Sequence, residues 1–283
     1  GRDEPLTAEQ GRALLDAVVW AARRNMVGRK LLPIQNIDPG SQTYAYDVGT
    51  LPADAAIDEG WPGRESLDLL NLARTTVAVP TVHKEFLINK LDLAASRQSS
   101  TPLNVSNAEA AAYKVALAED TLIILGYSRD GTNYDINGLY NGAGNSEATS
   151  LDWGTAANIA TSIINSIALL EADNIFGPYN LVLNPTQANQ ARVVVANTAV
   201  TYMQYVKEQI QGTIYTTAAM TAGTGMMLKA DIGGLCKFVV AEDLTVETET
   251  QSKREGEGLF GRVYVRGLPI LYDSNAACQM TTI

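Results

Sequence analysis

The chain has 283 residues, of which 46% are hydrophobic and 18% charged, and its 21 Lys and Arg residues against 31 Asp and Glu residues give a formal net charge of -10. This length and composition exclude a disordered chain and allow a sizeable core, in one elaborate domain or two small ones. The acidic balance argues against a broad nucleic-acid footprint. No apolar run reaches about 18 residues, so no membrane span is predicted. No signal-peptide pattern is recognised either.

The first predicted element is an amphipathic helix. Thr7 and Gln10 have the spacing of a capping box at its start, and Gly28 is a natural end. Its apolar residues recur at helical spacing: Leu14, Leu15, Val18, Val19 and Ala22. A dense basic group near the end of this helix is typical of a solvated helix end or of a polyanion site: Arg23, Arg24, Arg29 and Lys30.

A short strand, KLLPIQNI, is followed by an unusually long excursion. Residues 38–66 are rich in Gly, Pro and Asp, with alternating polar and apolar residues from Gln42 to Val48. This pattern predicts a two-stranded extension, and long excursions of this kind are usually functional or interfacial. A strand interrupted at Pro80 and a helix are predicted next.

The second strong helix lies between Ser106 and Gly126, with a second capping-box pattern at Ser106 and Glu109. Two adjacent carboxylates, Glu119 and Asp120, stand in its apolar middle. Adjacent helical residues point about 100° apart, so the two do not converge as a paired-carboxylate mechanism requires. We therefore expect one of them to face water and the other a neighbouring segment or subunit.

The remainder of the chain predicts a loop, two longer helices and many strands. A Gly- and Asn-rich loop at 128–150 precedes a third helix, and a core strand at Tyr179–Leu183 leads through Asn184-Pro185 into a further helix. A shorter helix at 200–211 is followed by β segments from about 213 onward. This order of elements predicts an α+β fold.

Residues that carry chemistry are scarce. The chain has no phosphate-cradling glycine motif, and its one histidine, His83, has no nucleophile motif as a partner. The two cysteines, Cys236 and Cys278, lack metal-type spacing, which favours free thiols and makes an ordinary zinc site implausible. We therefore predict no catalytic residue, no metal and no cofactor.

The order of the motifs resembles that of the encapsulins, bacterial and archaeal shell proteins with the Hong Kong 97-type phage capsid fold. The resemblance runs from about Pro5 to Met280. The segments that carry it are PLTAEQ, VGRKLLPI, SQTYAYDV, VAVPTVHKEFLINKLDLAASRQSSTPLNVSNAEAAAYKVALAED, NIFGPYNLVLNP and VAEDLTVETET.

The resemblance implies a Hong Kong 97-type major capsid protein fold with a peripheral domain, an axial domain and an extended loop. The division it implies is an amino-terminal helix and strand at 1–37, an extended loop at 38–68, a peripheral domain with a spine helix at 69–178, an axial domain at 179–240, and a return to peripheral β segments at 241–283.

The resemblance also implies three surfaces. The first is an interior groove for a short apolar cargo tail, formed by Leu14, Val18, Ala22, Ile270 and Leu271. The second is a pore loop at the fivefold axis with a polar, uncharged lining, formed by Asn197, Thr198, Thr201 and Tyr202. The third is the inter-subunit part of the extended loop, with Tyr44, Tyr46 and Trp61.

Three functions remain open from the sequence. The first is a cytoplasmic, encapsulin-like nanocompartment, an icosahedral homo-oligomer of many copies that encloses a cargo protein and contacts no membrane. The second is the major capsid protein of a phage or an archaeal virus, which would enclose double-stranded DNA in a virion. The third is a hydrolase that uses Glu119 or Asp120, against which the missing catalytic constellation argues.

Overall fold

The computed structural model of the protein describes Leu6 and residues 8–23, 26–50, 71–98, 103–131, 133–196, 198–249 and 258–283. The helices are α1 (Ala8–Arg23), α2 (Gly28–Leu31), α3 (Lys90–Gln98), α4 (Ser106–Ile124), α5 (Ala157–Ala172), α6 (Pro185–Gln190) and α7 (Tyr202–Ile210). The strands are β1 (Ile34–Asn36), β2 (Thr43–Thr50), β3 (Asn71–Ala78), β4 (Thr81–Asn89), β5 (Gly126–Tyr127), β6 (Ile136–Asn137), β7 (Asn145–Glu147), β8 (Tyr179–Leu183), β9 (Ile214–Thr216), β10 (Thr224–Lys229), β11 (Cys236–Glu249), β12 (Gly258–Leu271) and β13 (Ala277–Thr281).

A four-stranded sheet carries the two long helices α1 and α4. Its order is β1-β11-β12-β4, with β1 parallel to β11 and the other pairs antiparallel. The apolar stripe of α1 packs on α4 and the sheet, and Leu14 and Val18 share a core cluster with Val115 and Val263. Four alanines of α4 allow this close packing and are buried: Ala108, Ala111, Ala112 and Ala116.

A five-stranded sheet forms the second body of structure. Its order is β7-β13-β10-β8-β9, and α5 and α7 contact it and each other. All five residues of β8 are buried, as expected for a strand covered on both faces. Asn184 caps α6 by accepting a hydrogen bond from the Thr186 amide, so the predicted strand, turn and helix are confirmed.

The predicted two-stranded extension is a separate ribbon. β2 pairs antiparallel with β3 from Thr43 and Ala78 to Thr50 and Asn71, and the ribbon joins neither large sheet. The second strand of the ribbon therefore lies after residue 68, beyond the predicted loop. The segment between the strands, 51–70, lies outside the described residues.

Two predicted helix ends differ from the structure. α1 ends at Arg23, and Gly28 begins the short helix α2 instead of closing α1. The capping box predicted for Ser106 is wrong, because Ser106 is already helical and Val105 is the cap residue without a side-chain hydrogen bond. The carbonyl oxygen of the Asn104 side chain accepts the Ser106 amide at 3.2 Å instead. The capping box predicted for Thr7 lies outside the described residues.

The end of α4 agrees with the prediction. Gly126 has a φ of +89°, and a Cβ there would lie 2.2 Å from the Ile136 carbonyl oxygen. Only glycine fits this position without strain. The loop predicted at 128–150 contains the short strands β6 and β7, whose two or three residues have no periodicity that a sequence could show.

Strand pairing crosses the predicted domain division at two places. β7 and β13, assigned to the peripheral domain, lie in the five-stranded sheet with β8–β10. The first residues of β11, assigned to the axial domain, belong to the four-stranded sheet. The exact division remains a prediction. No helix among the described residues is long and apolar enough to span a membrane.

Candidate assembly and cargo-binding site

The two carboxylates of α4 hold the segment that follows α1. Asp120 accepts hydrogen bonds from the backbone amides of Val27 at 2.9 Å and Gly28 at 2.8 Å. These amides stand at the start of α2, where backbone N–H groups have no partner within the helix. Asp120 therefore fixes the direction in which the chain leaves α1.

Gly28 is required by this close approach. A Cβ at this position would lie 2.8 Å from Cδ1 of Ile123 and 3.1 Å from Oδ1 of Asp120. Both neighbours are on α4 and fully or almost fully buried, so they have little room to move. The contact between α2 and α4 thus depends on the absence of a side chain at residue 28.

Glu119 meets the same segment on its other side. Its Oε1 accepts a hydrogen bond from Nε of Arg29 at 2.7 Å, and Nη1 of Arg29 reaches Asp243 at 2.7 Å. The guanidinium also lies 5.9 Å from the ring centroid of Phe238. Asp243 is exposed and stands at an irregularity in the ladder between β11 and β12. Arg29 therefore ties α2 to both α4 and β11.

Both carboxylates are buried, each with 1% of its surface exposed. The expectation that one of them faces water is wrong, because the chain from Val27 to Arg29 crosses both of the helix faces on which they stand. Burial raises the pKa of Glu119 against the opposing effect of Arg29, and burial raises the pKa of Asp120 against its two amide hydrogen bonds. Neither carboxylate can reach a substrate, which argues against the hydrolase.

The predicted cargo-groove residues lie in separate parts of the core. Leu14 and Val18 share one cluster, and Ala22 and Ile270 lie in two others. These four side chains are buried, and Leu271 is half-buried against a fourth cluster. The described structure does not bring the five together as an open groove, and the groove remains a prediction. Elsewhere on α1, Leu15 is 44% and Trp20 is 64% exposed.

An open apolar cavity of about 660 Å³ lies between β4 and α4. Val82, Leu117 and Leu122 contribute its apolar lining, and His83 and Lys114 stand at the same cavity. The sequence did not single out this surface, because most of its residues come from β4 and α4, and the contributing parts of these two elements are about 30 residues apart.

Aromatic side chains anchor the ribbon at its base. Tyr44 stacks on Tyr46 with ring centroids 6.4 Å apart, and Tyr46 meets Tyr272 edge-on at 5.6 Å. Arg266 donates hydrogen bonds to the carbonyl oxygens of Pro39 and Ser41 just before β2. Tyr44 and Tyr46 thus position the ribbon within the chain, whereas Trp61, predicted beside them, lies outside the described residues.

The predicted pore loop runs directly into a capped helix. Thr201 accepts the Gln204 amide while the Gln204 side chain accepts the Thr201 amide, a capping box at the first turn of α7 that begins with Tyr202. The Thr198 hydroxyl donates to the Val195 carbonyl oxygen at 2.9 Å. Asn197 lies outside the described residues, and the pore remains a prediction.

The apolar part of this loop carries no distinctive signal in the sequence. Val194 bridges to Thr201, and three exposed valines flank the turn, with 41–52% of each exposed: Val193, Val194 and Val200. We call residues 191–201 the axial tip. An isolated V-V-V run in a sequence is typical of a buried strand, so this signal alone could not have marked an exposed surface.

The thiols match the prediction of free cysteines. Cys236 and Cys278 are buried and unpaired with each other, and burial raises the pKa of Cys236 to about 12 and that of Cys278 to about 11. Such thiols are poor nucleophiles because the thiolate is disfavoured. Within the described ranges, no group of three or more His, Cys, Asp and Glu side chains is arranged to hold a metal ion.

Comparison with known proteins shows sequence similarity to encapsulating shell proteins. The family model Linocin_M18, described as "Encapsulating protein for peroxidase", matches residues 2–257. A type 1 encapsulin shell protein of Myxococcus xanthus is 28% identical over 227 residues, which cover 80% of this chain and 77% of that protein.

Solved structures show the same fold at low sequence identity. A virus-like particle from Pyrococcus furiosus has a TM-score of 0.71 and 16% identity, with 95% of this chain and 98% of that chain covered. The capsid of Myoviridae phage XM1 has a TM-score of 0.67 and 13% identity, with 90% of each chain covered. The predicted α+β fold of the Hong Kong 97 type is thereby confirmed.

Proposed function

Because the chain belongs to the Linocin_M18 family of encapsulating shell proteins, we propose that it is a self-assembling shell protein whose copies close an icosahedral nanocompartment around a cargo protein. The family match over residues 2–257 is the observation that carries this proposal. The buried, internally paired carboxylates of α4 and the separate β2–β3 ribbon support a structural role.

The proposed compartment is cytoplasmic and takes up its cargo by a short apolar tail. We place this contact on α1, where Leu14, Val18 and Ala22 hold the helix on the core while Leu15 and Trp20 expose apolar surface. An exposed apolar residue that is fixed on a rigid helix loses little entropy when an apolar segment covers it. In this arrangement the buried residues of the predicted groove support the cargo contact without touching the tail.

Assembly is tested on the purified full chain by size-exclusion chromatography and electron microscopy. Hollow particles of uniform diameter, without nuclease-protected nucleic acid, are the expected result. A single-chain species at all concentrations would contradict the shell. Particles that protect double-stranded DNA would favour the capsid protein of a virus, whose fold this chain shares.

The cargo contact is tested by co-expression with a reporter protein that bears the apolar tail of a neighbouring gene product. We expect the double substitution Leu15→Gln and Trp20→Gln to reduce the reporter retained per particle by about tenfold. Leu91→Gln, which changes an exposed leucine on α3, is the matched control. Equal retention in both variants would place the cargo contact elsewhere, with the open cavity between β4 and α4 as the next surface to test.

A further inference from the structure

The five-stranded sheet has a free edge at β9. The Leu181 amide donates to the Thr213 carbonyl oxygen at 3.0 Å, and the Thr217 amide donates to the Leu183 carbonyl oxygen at 3.0 Å. In a parallel pair, alternate residues bond to the neighbouring strand, so the peptide groups of Ile214 and Thr216 face away from β8. Among the described residues, this edge therefore presents two outward N–H donors and the two outward C=O acceptors of the same residues.

A cavity of about 360 Å³ opens at this edge, between β9, α7 and the axial tip. Its lining residues combine positive charge with hydroxyl groups: Arg192, Met203, Lys207, Thr213, Ile214 and Thr216. No lining residue carries a negative charge. Glu208, the neighbour of Lys207 on α7, is not among them.

Arg192 and Lys207 have no carboxylate partner within 4.0 Å in the part of the chain that the structure describes. One guanidinium nitrogen of Arg192 donates to Oδ1 of Asn189 at 3.0 Å, which leaves the other nitrogens available. The surroundings share this character. Residues 179–240 contain four Lys and Arg residues and two Asp and Glu residues, whereas the whole chain is acidic.

We propose that this cavity is a binding site for an oxyanion of about the size of phosphate. Four side chains at the cavity are hydrogen-bond donors that suit such a ligand: the guanidinium of Arg192, the ammonium of Lys207, and the hydroxyls of Thr213 and Thr216. Free phosphate and a carboxylate from a neighbouring copy share this chemistry, and the experiment separates the two sources.

The test is a phosphate titration of the purified full chain at constant ionic strength, followed by calorimetry. For free phosphate we expect the unfolding temperature of the wild type to rise with phosphate but not with chloride. The double variant Arg192→Gln and Lys207→Gln should need at least about tenfold more phosphate for the same rise, because charged hydrogen bonds are lost. The control variant Lys84→Gln and Lys90→Gln removes two exposed charges from the other body of structure and should behave as the wild type.

The second source, a carboxylate from a neighbouring copy, rests on the proposed shell assembly. If this carboxylate fills the cavity, phosphate leaves the unfolding temperature of the wild type unchanged. The Arg192→Gln and Lys207→Gln variant then forms several-fold fewer particles than the control variant. Equal phosphate responses and equal particle yields in the two double variants would overturn the site for either source. Failure to form any particle would count against the shell, while the phosphate arm would still report on the cavity.

Discussion

Two regions, the contact between α2 and α4 and the axial tip, both contain residues in unusual surroundings. The unusual residues are buried in the first region and exposed in the second. At the junction, Asp120 and Glu119 are buried and paired with groups of the same chain. At the tip, Val193 and Arg192 are exposed, although valine is usually buried. The first region contributes to the folding of a single chain, and the second is available for contact with another molecule. Substitutions at the junction should therefore affect unfolding, and those at the tip should affect association.

The largest effect is expected from Asp120→Ala. Loss of this carboxylate leaves the Val27 and Gly28 amides without their acceptor in a buried place, which should lower the free energy of unfolding by about 3–5 kcal/mol. Denaturant unfolding followed by circular dichroism measures this. Asp16→Ala, which removes an exposed carboxylate on α1, is the control, and an equal midpoint for the two variants would contradict the role of Asp120.

Glu119→Leu should cost less, about 2–3 kcal/mol, because Arg29 loses its buried partner while the exposed Asp243 remains as a second partner for the guanidinium. The double substitution Glu119→Leu and Arg29→Met removes both charges and should restore most of the loss. A double-mutant cycle measures the coupling. Additive effects of the two single substitutions would show that the pair does not act as a unit.

The same carboxylates predict a pH dependence. Burial raises the pKa of Glu119 above its ordinary value of 4.5. At a pH between 4.5 and the pKa of the folded state, the folded chain therefore binds a proton that the unfolded chain has released. Stability relative to Glu119→Gln should therefore increase as the pH falls from 7 through the folded pKa, by at most about 1.4 kcal/mol per pH unit. A decrease over this range, measured by denaturant midpoints, would mean that Arg29 outweighs burial.

At the base of the ribbon, Tyr46→Ala should cost about 1 kcal/mol through the lost contacts with Tyr44 and Tyr272. Because this loss is local, amide hydrogen exchange in β2 and β3 should accelerate several-fold while α4 remains protected. Tyr134→Ala, at an exposed tyrosine outside the ribbon, is the control. Uniform acceleration across the chain would show that the aromatic cluster supports the whole fold.

The smallest effect on folding is expected at the axial tip. Replacing Val193, Val194 and Val200 by threonine should change the free energy of unfolding by less than about 0.5 kcal/mol each, because the side chains are exposed. Particle yield should nevertheless fall, because we expect another copy to cover these exposed valines. Unchanged assembly together with a large loss of stability would reverse the contrast between the two regions.

The sequence predicted the elements whose signals are local. Helical spacing identified α1 and α4, and a short apolar run with Asn184-Pro185 after it identified β8 and α6. The pairing of Asp120 with Gly28 could not be predicted in this way, because it joins residues 92 positions apart and depends on how the chain turns after α1. The pattern at Ser106 was misleading since Asn104, two residues earlier, competes for the same amide.

The candidate site was predicted less well than the fold. An apolar stripe such as Leu14 and Val18 has the same spacing whether it packs in a core or lines a groove, so periodicity cannot separate the two. Tyr272 meets Tyr46 from a distant part of the chain, and the lining of the β9 cavity is spread over residues 192–216, which only the fold brings together. Arg192 and Lys207 are 15 residues apart and carry no recognisable motif.

The fit of Gly28 against Ile123 has a geometric consequence for a closed particle. In a ring or shell of identical copies, the same rotation relates each copy to the next, and these rotations must add up to a closed particle. An error in the shape of one copy is therefore repeated at every contact. A rotation of α2 relative to α4 by a few degrees would be harmless in a lone subunit but would leave a gap or an overlap once many copies had joined. The two hydrogen bonds from backbone amides to Asp120 therefore limit how much the curvature of the shell can vary. This limit is set within each subunit before it contacts a neighbour.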